Sequence, residues 1–189
     1  MPNTPLYLWI MAPSGSGKTT AVTNCVADAA HALRERLGIA GRRVRLCTES
    51  LDGAKHEELL SCLTKTYPPE ATDVLLIDGQ WPDVQEKTDT IRKWRDANPE
   101  ATHRIIWLNV APEEAARRIR EHRGTRPNAR DWEPGYTTKQ ATGHHRNMVA
   151  CAERLMRLGI EVLVFDASTY DYSPSSWDAV REHCTPKTP

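Results

Sequence analysis

Residues 11–20 read MAPSGSGKTT, a run of small residues that ends in a lysine and two threonines. Gly17, Lys18 and Thr19 match the second half of the phosphate-loop pattern G-x-x-x-x-G-K-[ST], while Ala12 stands where the first glycine is expected. Alanine at this position is tolerated if its φ is negative, whereas Gly15 and Gly17 are harder to replace. A strand-to-helix turn with incidental glycines is the alternative, and it is disfavoured because the Gly-Lys-Thr-Thr run sits where phosphate binding needs it.

The flanks of the stretch predict a strand before it and a helix after it. Residues 6–11 form a short apolar and partly aromatic run, which is typical of a strand buried on both faces. Apolar residues then recur at helical spacing and predict one helix that closes at Gly38. These apolar residues are Val22, Cys25, Val26, Ala29 and Leu33.

The order of strand, loop and helix suits a bound nucleotide. Small residues allow consecutive backbone N–H groups to turn inward around a phosphate, and the start of a helix adds partial positive charge. Lys18 would bridge the β- and γ-phosphates of ATP, and the Thr19 hydroxyl would bind Mg²⁺. The residues predicted to bind ATP here are Ser14, Gly15, Ser16, Gly17, Lys18, Thr19 and Thr20.

Composition limits the class of protein. The 189 residues, of which 39% are hydrophobic, predict a single domain over residues 1–189. The 25 basic residues balance 25 acidic ones, which excludes a globally basic nucleic-acid binder but allows a local basic patch. With neither a signal-peptide pattern nor an apolar run of membrane-spanning length, we expect a cytoplasmic protein without a membrane partner.

Cysteines and histidines do not predict a metal centre. The five cysteines are odd in number and widely spaced, and they form no C-x-x-C pair, so we expect buried, reduced thiols. The doublet His144-His145 lacks the spacing of a zinc motif, and we expect both residues on the surface or in a loop. The cysteines are Cys25, Cys47, Cys62, Cys151 and Cys184.

Strand and helix patterns alternate along the rest of the chain, which predicts a parallel sheet covered by helices on both faces. The further strands are predicted at residues 44–47, 74–78, 104–110 and 161–165. The further helices are predicted at residues 54–65, 83–97, 112 to about 122, in a segment ending near 158, and within 175–184, with residues 185–189 frayed.

Asp78 ends the apolar run VLLID and would lie beside the phosphate loop, because ligands of parallel α/β sheets bind at the carboxyl ends of the strands. As a carboxylate of the Walker B kind, it would hold Mg²⁺ directly or through water, or orient the acceptor. The alternative is that Asp78 caps the Gly79-Gln80 turn.

The segments APSGSGKTT and VLLID make the chain resemble the P-loop kinases, the broad family of nucleotide, shikimate, gluconate, adenylylsulfate and polynucleotide kinases. This resemblance implies a three-layer α/β fold with a five-stranded sheet in the order 2-3-1-4-5, and it implies ATP and Mg²⁺. It also implies an acceptor site after the second and third strands, and an arginine-bearing lid at about residues 120–143. The adenine-contacting loop would lie at residues 166–169.

Residues 117–130 read RRIREHRGTRPNAR, with six arginines and one glutamate. Arginine guanidinium groups suit phosphate oxygens and can stabilise charge on a transferring phosphoryl group. We predict that Arg120 and Arg126 are catalytic and that Arg117 and Arg123 bind the nucleotide, although a solvated basic helix face would account for some of them.

The acceptor side carries weaker signals. Asp52, with Glu49 as second choice, would accept the proton of the acceptor hydroxyl, and an Asp-Gly turn is an equally good explanation of Asp52. Trp81 would stack on a planar substrate or pack beneath a loop, and Trp132 and Tyr136 in the lid allow the same two interpretations.

The chain lacks the motifs of two other nucleotide-binding classes. It has neither the N-K-x-D or T-K-x-D motif of GTPases nor an LSGGQ-like signature of ABC ATPases. We therefore predict an ATP- and Mg²⁺-dependent kinase acting on a hydroxyl or phosphate of a small molecule or nucleotide. A kinase acting on nucleic acid, such as a phage enzyme that phosphorylates a 5-hydroxymethyluracil-like base or a polynucleotide end, is the alternative, and a non-catalytic ATP-binding module is the second.

Overall fold

Five short segments pair into one parallel sheet in the computed structural model, which describes residues 4–27, 31–47, 56–78, 84–121, 135–169 and 171–185. The sheet order is β2-β3-β1-β4-β5, so the predicted order 2-3-1-4-5 and the α/β class are confirmed. The strands are β1 Leu6–Met11, β2 Val44–Cys47, β3 Val74–Asp78, β4 Thr102–Asn109 and β5 Glu161–Asp166.

The central strand β1 is buried along its whole length, as its apolar sequence LYLWIM predicts. It pairs in parallel with β3 on one side and with β4 on the other. Tyr7 and Trp9 contribute to the hydrophobic core on one face of the sheet, and Leu8 and Ile10 to the core on the opposite face. The alternation of side chains along a strand explains this division.

Helices cover both faces of the sheet. Helices α1 and α2 contribute to the core that contains Leu8 and Ile10, while α3, α4 and α6 contribute to the core that contains Tyr7 and Trp9. The described helices are α1 Lys18–Val26, α2 His31–Arg36, α3 His56–Thr66, α4 Val84–Ala97, α5 Pro112–Glu121, α6 Thr138–Arg157 and α7 Trp177–Glu182, with a short 3₁₀ helix at Pro69–Ala71.

The single helix predicted after the phosphate loop is wrong, because the structure has two. Helix α1 ends at Val26, whose side chain is 39% exposed, and α2 begins at His31. The apolar spacing through Val26 is therefore not one continuous buried stripe; Ala29 lies outside the described residues. Gly38 does close α2 as predicted, with φ +69°.

Strand β4 begins two residues before the predicted start, at Thr102. The backbone N–H of Thr102 donates to the carbonyl of Pro5 at 2.8 Å, just before β1, so pairing with the central strand recruits polar residues that no apolar pattern marks. The other boundaries in the described ranges lie within two residues of those predicted, and α7 begins after the cap Ser176.

The histidine doublet lies on α6, so the expectation of surface or loop positions is wrong for His145. His145 is fully buried, and its Nε2 lies 2.9 Å from the Val180 carbonyl of α7. Its ring meets that of Trp107 edge-on, with 5.4 Å between centroids. Burial lowers the pKa of His145, which favours the neutral imidazole.

The thiol prediction is confirmed in part. None of the five cysteines forms a disulfide, but only three of them are buried. The buried ones are Cys25, Cys47 and Cys151, and the half-buried ones are Cys62 and Cys184.

Within the described ranges, no three His, Cys, Asp or Glu residues are grouped so that they could hold a metal ion. None of the described helices combines the length and apolar character needed to cross a membrane.

Candidate functional site

The loop between β1 and α1 has the backbone conformation that its glycines predict. Gly15 has φ +82° and Gly17 has φ +86°, a left-handed region that other residues rarely adopt. The N–H of Ser16 donates to the Pro13 carbonyl at 3.3 Å, and α1 begins at Lys18. The loop therefore turns directly into a helix N-terminus, as an anion-binding loop requires.

Gly15 is required for a second reason, which the sequence did not indicate. A Cβ atom at this position would lie 2.3 Å from the backbone oxygen of Ala115 on α5. The loop therefore packs directly against the backbone of another helix. This close approach couples the position of the loop to that of α5, the helix that leads toward the predicted lid.

Lys18 lies within the loop rather than extending into solvent. Its side chain is buried, and its Nζ donates to the carbonyl oxygens of Ala12 at 2.8 Å and Pro13 at 3.3 Å.

Among the described residues, Tyr172 is the one non-glycine residue with φ in the left-handed region. Ala12 therefore needs no glycine conformation, which explains why alanine is acceptable at this position.

The loop also contains a buried polar atom that a phosphate oxygen would satisfy. The Ser16 side chain is 1% exposed, and its Oγ has no hydrogen-bond partner among the described residues. A buried hydroxyl without a partner costs free energy, which a bound ligand can recover. Thr19 and Thr20 are exposed on the first turn of α1, where a ligand can reach their hydroxyl groups.

Asp78 lies beside this loop, as predicted. It is the last residue of β3 and pairs in register with Ile10 of β1, so it reaches the carboxyl edge of the sheet next to the strand that leads into the loop. Its side chain is half-buried. Thr19 and Asp78 offer the oxygen ligands that Mg²⁺ prefers, and their assignment as its ligands stays a prediction.

The sequence analysis missed Lys87. This residue lies on the first turn of α4 and is 3% exposed. Burial lowers the pKa of the Lys87 ammonium to about 8. Cys151 and Asp78 act in the opposite direction, and the charge of Lys18 lowers the pKa further. A signal was available: Lys87 precedes the buried Ile91 and Trp94 at helical spacing, on the side of α4 that faces the core.

The predicted lid arginines that the structure describes are engaged by other groups. Arg117 forms ion pairs with Glu114 at 2.7 Å and with Glu121, on the exposed face of its own helix. Hydrogen bonds from Arg117 and Arg118 lower the pKa of Glu114 to about 2. Arg120 donates to the Tyr136 carbonyl at 3.0 Å. Their roles toward a nucleotide stay predictions.

Arg118 is a second residue that the sequence analysis missed. Its guanidinium is buried and donates to the carbonyls of Ala167 at 3.1 Å and Ser168 at 2.6 Å, while its Nε donates to Glu114 at 2.7 Å. Arg118 thereby connects α5 to the loop after β5, which the family resemblance implies contacts adenine. The sequence does not distinguish Arg118 from Arg117 and Arg120, which carry the same charge in the same run but are exposed.

Of the three aromatic candidates, the structure describes only Tyr136. The Tyr136 side chain is 1% exposed, packs with Ala116, Ile119 and Ala141, and shares a 2.8 Å hydrogen bond with His144, so the packing interpretation is favoured. Residues 138–143 of the predicted lid form the start of α6. Several predicted residues lie outside the described ranges: Glu49, Asp52, Trp81, Arg123, Arg126 and Trp132.

Comparisons with known proteins add little to this geometry. No protein-family model matches the sequence, and no curated protein matches it. The crystal structure of APE1195 aligns with a TM-score of 0.42 and 21% identity, over 71% of this chain and 80% of that one. The structure of TubZ from Clostridium botulinum phage c-st aligns with a TM-score of 0.41 and 10% identity, over 97% of this chain and 57% of that one. Similarity at this level carries no conclusion about activity.

Proposed function

We propose that the chain is an ATP- and Mg²⁺-dependent kinase of the P-loop kind, with a small molecule or nucleotide as acceptor. One observation supports this most strongly: the glycine-rich loop turns into α1 beside Asp78, and Lys18 begins that helix. A buried lysine, a helix N-terminus and a carboxylate at one edge of a parallel sheet are the groups that phosphoryl transfer needs.

In the proposed reaction, the bond between the γ-phosphorus and the β–γ bridging oxygen of ATP breaks, and a bond forms between that phosphorus and the acceptor oxygen. ADP leaves, and the proton of a hydroxyl acceptor passes to a carboxylate, for which Asp52 is the predicted base. Lys18 offsets negative charge on the transferred group. Mg²⁺, held through Thr19 and Asp78, would supply neutralisation of charge on the β- and γ-phosphates.

The described residues argue against a nucleic-acid acceptor but do not test the alternative of a module that only binds ATP. A nucleic-acid acceptor would gain from exposed aromatic rings, but Trp9, Trp94 and Trp107 are buried and Trp177 is half-buried. For a module that only binds ATP, the group that would discriminate is the acceptor-side carboxylate predicted at Asp52, which lies outside the described residues. Both alternatives are outcomes of the experiment that tests the proposal.

The test is transfer of label from γ-labelled ATP to pooled metabolites, nucleotides and DNA carrying 5-hydroxymethylated bases. We expect label on one small-molecule or nucleotide acceptor. Transfer to DNA alone, with activity that falls steeply as salt increases, would favour the nucleic-acid alternative. ATP binding without transfer to any acceptor would favour the binding module.

Lys18→Ala provides the negative control. We expect it to abolish transfer and leave the fold intact, because the hydrogen bonds from the ammonium to the Ala12 and Pro13 carbonyls stay within the loop. Lys93→Ala, at an exposed position on α4, is the matched variant and should retain full transfer. Transfer by Lys18→Ala within a few-fold of the wild-type rate would contradict the assignment of the phosphate loop.

A further inference from the structure

Helix α7 depends on a small set of contacts with α6 and β4. It has six residues, which is too short for a stable helix in water without tertiary contacts. Val180 is its one buried residue, and Trp177 packs edge-on against Trp107 of β4, with 5.2 Å between ring centroids. Because so little surface holds α7, the loss of one anchoring contact should release it while the sheet keeps its fold.

His145 of α6 supplies a buried polar contact to α7. Its Nε2 lies 2.9 Å from the Val180 carbonyl, which only accepts, so in the neutral imidazole Nε2 carries the proton and Nδ1 does not. The His145 Nδ1 is buried and has no hydrogen-bond partner among the described residues. Protonation of Nδ1 would bury a charge together with a donor that lacks an acceptor, and both are unfavourable.

A second histidine faces the first across the interface between α6 and α7. The His183 ring, just after α7, is half-buried and stands edge-on to the His145 ring, with 5.6 Å between centroids. Two imidazolium groups at this separation repel one another. Burial lowers the pKa of His145, the hydrogen bond to Val180 raises it, and the charge of His183 lowers it further. The docked position of α7 therefore favours a neutral His145.

Arginine contacts form the other polar links between α6 and α7. They join Arg146 to the Cys184 carbonyl at 2.7 Å, and Arg181 to Glu153 at 2.9 Å and to Asp178 at 3.9 Å. Trp107, which His145 contacts from β4, carries no charge. Side-chain carboxylates ordinarily titrate below about pH 5 and arginine above about pH 12. Between pH 7 and pH 5, a change at this interface therefore comes from the histidines.

We propose that His145 and His183 form an acid-sensitive latch, which holds α7 against α6 and β4 at neutral pH and releases it on acidification. Water solvates the imidazolium of His145 once α7 has left, so protonation favours the released state. Docking of α7 weakens as pH falls through the ordinary histidine pKa of about 6.5. Release also separates Trp177 from Trp107. This inference goes beyond the proposed kinase activity and does not depend on it.

Hydrogen exchange of the full chain, followed by mass spectrometry at pH 7 and pH 5, tests this proposal, with exchange times scaled to the intrinsic rate at each pH. We expect protection of the α7 amides to fall by about tenfold in the wild type, because each pH unit below the ordinary pKa favours the released state by up to about tenfold. Protection of β1 should not change. In His145→Gln, whose amide can donate to the Val180 carbonyl but does not titrate, α7 should keep its protection at both pH values.

His144→Gln is the matched control, since His144 is adjacent but exposed, and it should show the pH dependence of the wild type. If His145→Gln does not fold, His183→Gln makes the comparison, and α7 should lose less protection at pH 5 than in the wild type. The latch is overturned if α7 of the wild type is equally protected at both pH values, or is already unprotected at pH 7. A loss of the same size in His145→Gln, or in β1, overturns it as well.

Discussion

Replacing Gly15 by alanine should destabilise the protein more than a positive φ alone explains. The substitution places a Cβ atom 2.3 Å from the Ala115 oxygen, in a residue with φ +82°. The added Cβ is fixed to the backbone of the loop, and the oxygen that it meets belongs to the backbone of α5. Neither atom can rotate away as the end of a flexible side chain would. The loop and helix must therefore separate, which also distorts the loop proposed to bind phosphate.

The magnitude follows from two separate costs. An alanine in the left-handed region costs about 1 kcal/mol. Forcing an extra methyl group into a close-packed contact costs a further ~1–3 kcal/mol. The free energy of unfolding should therefore fall by about 2–4 kcal/mol in Gly15→Ala. For a chain of 189 residues, that corresponds to a decrease in Tm on the order of 4–16 °C.

Gly159→Ala is the matched control, because Gly159 has φ +81° but open space where a Cβ would stand. We expect this variant to lose only about 1 kcal/mol. Urea unfolding followed by tryptophan fluorescence measures both variants against the wild type. If the two variants differ by less than about 0.5 kcal/mol, the close approach of loop and helix is wrong.

Three further predictions concern individual side chains. Arg118→Met should lower the free energy of unfolding by about 1–3 kcal/mol in urea titrations, because its buried hydrogen bonds to Ala167 and Ser168 are lost; a change no larger than that of the exposed Arg117→Met would contradict this. In the folded protein the pKa of Lys87 is about 8 instead of 10.5, so below pH 8 the buried ammonium destabilises the fold. As pH increases from 8 to 10.5, the free energy of unfolding of the wild type should rise relative to that of Lys87→Met by up to about 3 kcal/mol. A constant difference across that range would refute it. In steady-state kinetics, Asp52→Asn should lower kcat with little change in ATP affinity, whereas Asp78→Asn should shift the Mg²⁺ dependence of the rate. If Asp52→Asn has no effect and Asp78→Asn loses turnover without an altered Mg²⁺ requirement, the general base is Asp78 instead of Asp52.

Local patterns in the sequence were sufficient for the elements that depend on neighbouring residues. The apolar run before the loop, the two loop glycines and Gly38 all act through backbone conformation within a few positions, and the structure has each of them as predicted. Asp78 could be placed because parallel strands share one carboxyl edge, so the end of an apolar run marks that edge. The strand order came from the family resemblance rather than from the residues themselves.

Contacts between segments distant in sequence decided the rest. The break between α1 and α2 depends on which residues face the sheet, and the burial of His145 depends on α7, which follows 32 residues later at Trp177. In the same way, Arg118 and Arg117 are adjacent and identical in charge, yet only the position of the loop after β5 makes Arg118 a buried connector.

By itself, the sequence determined the backbone conformation of the glycine-rich loop, the alternation of strands and helices, and the edge at which Asp78 lies. These features depend on local backbone preference and on the period of apolar residues. Only the tertiary structure decided that Gly15 touches the backbone of α5 and that Lys87 is buried on the first turn of α4. The spacing of apolar residues on α4 indicates that Lys87 lies on the side of the helix that faces the core. It does not show how closely the elements pack, and a glycine in a loop carries no local sign of such a contact.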